Sequence, residues 1–216
     1  MSKKNISQEK IIQAFLTSAF DKSAGATSLA DVADSLEIKK ASLYNHFESR
    51  DAMYDASIAY CSEQISKVEF LTQKVLETVN SGKSTVQAAI KKLISRYFSL
   101  FDSEPLFKMY VFVHTEQYFN VNALKTVQNQ IEKISEDIKT LFATCIKDKS
   151  EKEIKELASA CTSLILQQLD AYIAVRKETI RQNPETGAGS LFELPSDNNI
   201  INKASRLVDA FVTSVI

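Results

Sequence analysis

Apolar residues recur along this chain at steps of three and four, the spacing that lines one face of a 3.6-residue helix. Ile11, Phe15 and Ala19 fall at four-residue steps, and Ile12, Leu16 and Phe20 widen the stripe. This predicts a first helix from about Ser7 to Lys22, stopped by Gly25. Leu29, Val32, Ala33 and Leu36 define a second, short helix, with Ser28 as its cap and Asp31 completing a capping box three residues on. A tight turn at Leu36-Glu37-Ile38 leads into a third short helix from about Lys39 to His46. Ser49 caps a fourth, which carries Met53, Ala56, Ile58, Cys61, Ile65 and Val68 and extends with a bend to about Val79, where Asn80-Ser81-Gly82 breaks it.

Further helices are expected over about 84–101, with Ser84 as cap, and over 105–118, 122–147 and 150–181. A last one begins near Asn199 and carries Ile200, Ala204, Leu207, Val208, Phe211 and Val215. Between them, 183–197 holds two prolines and two glycines without a period and reads as a loop. The expected architecture is all-α, with about nine helices: a three-helix head over residues 1–48 and a larger helical body over 49–216, the helix from about 49 being shared.

Composition sharpens this picture. Only 4 glycines and 3 prolines among 216 residues leave little material for hairpins or phosphate-cradling loops. A net charge of -1 points to no nucleic-acid partner by itself, so any such partner must be argued from local pattern. Cys61, Cys145 and Cys161 are widely spaced, with no C-x-x-C pair, and read as reduced, buried thiols. Neither a signal peptide nor a membrane span is visible, which predicts a cytoplasmic protein.

Residues 28–47 carry the chemistry. Two short helices joined by a tight turn and packed on a preceding helix form a helix-turn-helix. On a helical wheel Leu43 and Phe47 face the core, Ala41, Ser42 and Asn45 face away, and Lys39, Lys40 and Tyr44 flank them. A small, polar and basic outward face suits a major groove. Ala41 lets the backbone approach and meets a thymine methyl, Ser42 and Asn45 bond base edges, and Lys40 reaches guanine or a phosphate.

The segment resembles the head of the TetR (tetracycline-repressor-like) family of bacterial transcription regulators. The matching residues are Ile11 to Phe20, Thr27-Ser28-Leu29, Val32-Ala33, Ser42-Leu43-Tyr44-Asn45-His46-Phe47 and Ser49-Arg50-Asp51. The resemblance implies that Lys40, Ala41, Ser42, Asn45 and His46 face bases or flanking sugars of an operator duplex. It further implies that Tyr44 places its hydroxyl on a phosphate, and that Ser28 and Arg50 hold phosphates on either side. Lys3 and Lys4 can form a loose arm on DNA. Two positions depart from the family: Glu37 stands where it usually has Gly in the turn, and Lys39 where it often has the Ser or Thr that caps the third helix. A left-handed turn at Glu37 would cost of order 1 kcal/mol.

The body offers no catalytic constellation, metal cluster or cofactor site. Only His46 and His114 are available, and Asn80-Ser81-Gly82-Lys83-Ser84-Thr85 lacks the earlier glycine and the strand of a phosphate-binding loop. An enzyme is therefore not expected. Aromatic residues crowd between 98 and 119, which reads either as core packing or as a ligand pocket. The pocket reading takes Phe98, Phe107, Tyr110, Phe112, His114, Tyr118, Gln168 and Tyr172 as its residues, with Gln117, Gln167 and Asp170 as further polar handles. Apolar stripes on 150–181 (Ile154, Leu157, Cys161, Leu164, Ile165, Leu169) and on the last helix (Leu207, Phe211, Val215) imply, in this family, a homodimer interface, with intrachain core as the alternative for some positions. The function expected is that of a repressor released from its operator by a small apolar or aromatic molecule. A transcriptional activator or a ligand-independent regulator of the same fold is the alternative.

Overall fold

In the computed structural model, residues 6–183 and 198–216 are described, and they form ten α-helices. The expected basic arm at Lys3 and Lys4, and the expected loop beyond Asn183, lie outside the described residues. No strand occurs among the described residues.

The first helices follow their sequence signals closely. Helix α1 (Gln8–Lys22) starts where the Ser7 hydroxyl accepts from the Lys10 amide at 3.3 Å. It ends at Ser23, whose amide still donates to the Ala19 carbonyl at 2.8 Å and whose φ of 82° then turns the chain out of the helix; the stop thus comes two residues before Gly25. Helix α2 (Leu29–Ser35) opens with the expected box. The Ser28 hydroxyl accepts from the Asp31 amide, and the Asp31 carboxylate accepts from the Ser28 amide at 2.7 Å. Helix α3 is shorter than its pattern suggests, Lys40–Leu43, but turns continue it to Phe47, whose amide donates to the Leu43 carbonyl at 3.0 Å. The Ser49 hydroxyl caps α4 (Arg50–Ser66) by accepting from the Ala52 amide at 3.0 Å.

Helix α4 does not bend on to Val79. It stops at Ser66, and a separate α5 (Gln73–Asn80) follows. Tertiary contacts stabilise the interruption. Phe70 is 1% exposed and meets Tyr97 edge-on at 5.4 Å, and Arg96 donates to the carbonyls of Glu69 and Phe70. Lys133 reaches the Val68 carbonyl, and the Leu71 amide donates to Asp137 at 3.1 Å. With these backbone groups satisfied from outside, the chain leaves the helix without an unpaired cost.

Helix α6 (Val86–Phe101) is capped by Thr85, not by Ser84. It is followed by α7 (Leu106–Glu116), α8 (Val121–Cys145), α9 (Glu151–Gln182) and α10 (Asn198–Val215).

The chain divides into two compact units, Met1–Lys67 with Lys108–Val127, and Val68–Phe107 with Gln128–Ile216. The first is built on Ile11, Phe15, Leu16, Val32, Leu43 and Met53, each 1% exposed or less. Fully burying side chains of this kind contributes about 1.5–3 kcal/mol each. In the second, α10 packs on both α6 and α9 around Phe98, Ile165, Leu169, Ala204 and Val212. There the side chains of Arg176 and Asp102 form a 3.0 Å ion pair, 12% and 6% exposed. Of the α9 stripe, Ile154, Cys161, Ile165 and Leu169 are used within the chain, whereas Leu157 and Leu164 stay half-buried, as do Phe211 and Val215 of α10. Leu207 remains exposed.

Candidate nucleic-acid interface

The site begins with an anchor. Leu43 is 1% exposed and Phe47 8%, so α3 is fixed from below. Above them Lys39, Lys40, Ala41 and Asn45 are exposed, Tyr44 is 52% exposed, and Ser42 and His46 are half-buried. The eight-residue span thus presents amide, hydroxyl, imidazole, phenol and ammonium groups on one side.

The turn that aims α3 is strained where the sequence suggests it. Glu37 adopts φ 55°, the left-handed region, while its amide donates to Asp34 and that of Ile38 to the Ala33 carbonyl at 3.0 Å. Lys39 stands at the N-cap of α3 and makes no side-chain cap bond. Gln8 supplies support that no sequence signal marks, its amide donating to the His46 carbonyl at 3.1 Å.

Both expected flanking residues are engaged inside the protein. The Ser28 hydroxyl donates to Asp31 at 2.7 Å. Lys22, 2.6 Å from Asp31, and the Ser28 bonds hold that carboxyl well below the usual carboxylate range. The Arg50 guanidinium donates from Nε to the Thr27 carbonyl at 2.9 Å, donates to the Ala24 carbonyl, lies 3.4 Å from Asp51, and sits over the Phe15 ring.

The residues expected to hold a ligand fall in both units. In the first, Phe112 meets Phe15 and Tyr54 edge-on, each at 6.0 Å, so its ring belongs to the core beneath the head. Tyr110 stacks on His114 at 3.7 Å, while Tyr118 is 81% exposed. In the second, Phe98 and Tyr172 are buried with ring centres 6.0 Å apart, Phe107 is buried, and Gln168 is half-buried. A cleft of about 660 Å³ that the sequence did not suggest opens in the first unit, lined by Ala24, Arg50, Tyr54, Asp55, Glu116 and Phe119 among others. On its wall Tyr54 donates to Glu116 at 2.7 Å; burial, and then the Glu116 carboxylate, push the phenol's pKa up.

Residues 11–57 match the pattern of bacterial regulatory proteins of the tetR family. The chain is 27% identical over 166 residues to the biofilm operon icaADBC HTH-type negative transcriptional regulator IcaR of Staphylococcus aureus (strain Newman), covering 76% of this chain and 81% of that protein. Its fold is similar to that of a TetR transcriptional regulator from Legionella pneumophila, with a TM-score of 0.53, 21% identity, and 95% and 98% of the two chains covered. A transcriptional regulator from Rhodococcus sp. Rha1 gives a TM-score of 0.56 at 11% identity, covering 97% and 96%.

Proposed function

We propose, from the match of residues 11–57 to bacterial regulatory proteins of the tetR family, that the chain is a homodimeric repressor of that family, not an enzyme, that reads an operator through α3 in the major groove. The observation that carries this reading is the exposed face of Lys39, Lys40, Ala41, Tyr44 and Asn45 above buried Leu43 and Phe47. In this arrangement Asn45, Ser42 and His46 meet base edges, Lys40 meets guanine or a phosphate, and the Tyr44 hydroxyl donates to a phosphate oxygen. Two copies joined through α9 and α10, where Leu207 is exposed and Leu157, Leu164 and Phe211 are half-buried, would supply one such face to each of two half-sites, which in helix-turn-helix dimers lie about 34–36 Å apart on the duplex. Repression is favoured because the Staphylococcus aureus relative is named as a negative transcriptional regulator.

The test is selection from a randomised duplex pool by the full chain, which should yield a two-fold symmetric site. On that site Asn45→Ala and Ser42→Ala should relax base preference, each contact being worth about 1–3 kcal/mol. Tyr44→Phe should weaken binding to all sequences alike, because its partner is a phosphate. Recovery of no preferred sequence would overturn the reading.

Release by a small apolar or aromatic molecule is the regulatory part of the proposal, supported by the aromatic residues at 98–119. Such a molecule can act only through a difference in affinity between the bound and free arrangements of the heads. The close packing of Phe98 with Tyr172, and of Phe112 with Phe15 and Tyr54, favours a second reading, a ligand-independent regulator of the same fold.

A further inference from the structure

Arg50 stands at the first position of α4, where a cation in a DNA-binding head would be expected to reach a phosphate. Its surroundings argue for another task. Nε donates to the Thr27 carbonyl at 2.9 Å and Nη2 donates to the Ala24 carbonyl, so one planar fork spans the turn between α1 and α2. Nη1 lies 3.4 Å from Asp51, and the Phe15 ring centre is 5.9 Å from the guanidinium carbon. Each of the three nitrogens already has an oxygen partner. The carboxylate that balances the charge is 88% exposed, so a phosphate approaching Arg50 meets a like charge.

The carbonyls held by Arg50 have a particular place in the chain. Ala24 and Thr27 are 3% and 1% exposed. Thr27 immediately precedes Ser28, the cap of α2, and α2 is the helix on which α3 packs. A shift in where α2 begins therefore shifts the aim of α3.

We propose that Arg50 is a positioning residue: it fixes the start of α2, and through α2 the angle at which α3 meets bases, instead of contributing a phosphate contact. This rests on the DNA-binding reading above. Lysine cannot replace it, since a single ammonium lacks the fork that donates to both carbonyls while facing Asp51. The guanidinium lies over the ring of Phe15 while its N–H groups donate to two backbone carbonyls, so its orientation is set before DNA arrives.

The experiment compares Arg50→Lys and Arg50→Gln with the parent full chain, at a temperature where circular dichroism shows all three folded. Binding is measured on the duplex selected by the parent chain and on an unrelated duplex, across a salt series. Both variants should lose about tenfold on the selected duplex, the scale of one base contact, and little on the unrelated one. The slope of log affinity against log salt should not change, because no phosphate contact is lost. In the DNA-free protein, amide exchange at Ser28, Asp31 and Val32, the bonded amides at the start of α2, should accelerate in both variants. A slope shallower by about 0.9 per subunit in Arg50→Gln, with affinity restored by Arg50→Lys and equal losses on both duplexes, would overturn the proposal. So would unchanged exchange at the start of α2. If Arg50→Gln does not fold, Arg50→Lys decides alone, since it keeps the charge. If the parent chain selects no duplex, the DNA-binding reading fails, whereas amide exchange still decides whether Arg50 holds α2.

Discussion

Glu37 shows how much one residue can carry. Its φ of 55° lies in the region where a Cβ crowds the following carbonyl, and the turn holds it there through the Glu37 and Ile38 amides. Glu37→Gly removes that crowding, and although glycine adds freedom to the unfolded chain, the net change should be a gain of about 0.5–1 kcal/mol in urea unfolding. The strained position was legible only through the resemblance, since the family usually has Gly at that point of the turn. Ser23 was not legible in the same way. It takes φ 82° at the end of α1, where Gly25 nearby offered the more obvious stop. With ψ 156° this is a region that a side-chain-bearing residue rarely enters, and Thr27 supports it by donating to the Ser23 carbonyl at 2.8 Å.

Among the elements, caps and stripes located most helices to within a residue or two. The expected capping box Ser28/Asp31 forms, the structure adds another at Ser150/Glu153, and local pairs of this kind depend on nothing distant. The interval between α4 and α5 depends on distant groups instead. Ile65 and Val68 continue an apolar stripe, yet the helix yields because Arg96, Lys133 and Asp137 bond the backbone of 68–71. Periodicity cannot report a bond from a residue tens of positions away. Arg96→Ala leaves the Glu69 and Phe70 carbonyls without that donor and should cost about 1–3 kcal/mol in thermal unfolding. A loss below a few tenths would mean that the interruption is held mainly by the burial of Phe70.

At the scale of the molecule, the three thiols were read as buried, and two are. Cys61 and Cys161 are fully buried, and burial pushes both thiols up to about 12. Cys145 is half-buried, its pKa also raised by burial. A thiol reagent at mildly alkaline pH should modify Cys145 alone in the native protein, more slowly than a free thiol, and all three in denaturant, because the thiolate is the reacting form. The exposed face of α3 over buried Leu43 and Phe47 was legible because its pattern is local to residues 28–47. The expected ligand residues were less so. Aromatic spacing shows that Phe98 and Phe112 are inside, but not that they serve different units, with Phe112 against Phe15 and Phe98 against Tyr172.

The membership of Lys108–Val127 in the unit that contains the head has a practical corollary for grafting. A fusion cut after α4 would strip Phe15 and Tyr54 of the Phe112 ring and Tyr54 of its carboxylate acceptor, leaving a sticky scar in that unit. Anyone transplanting this head onto another protein should carry two pieces of chain, not one.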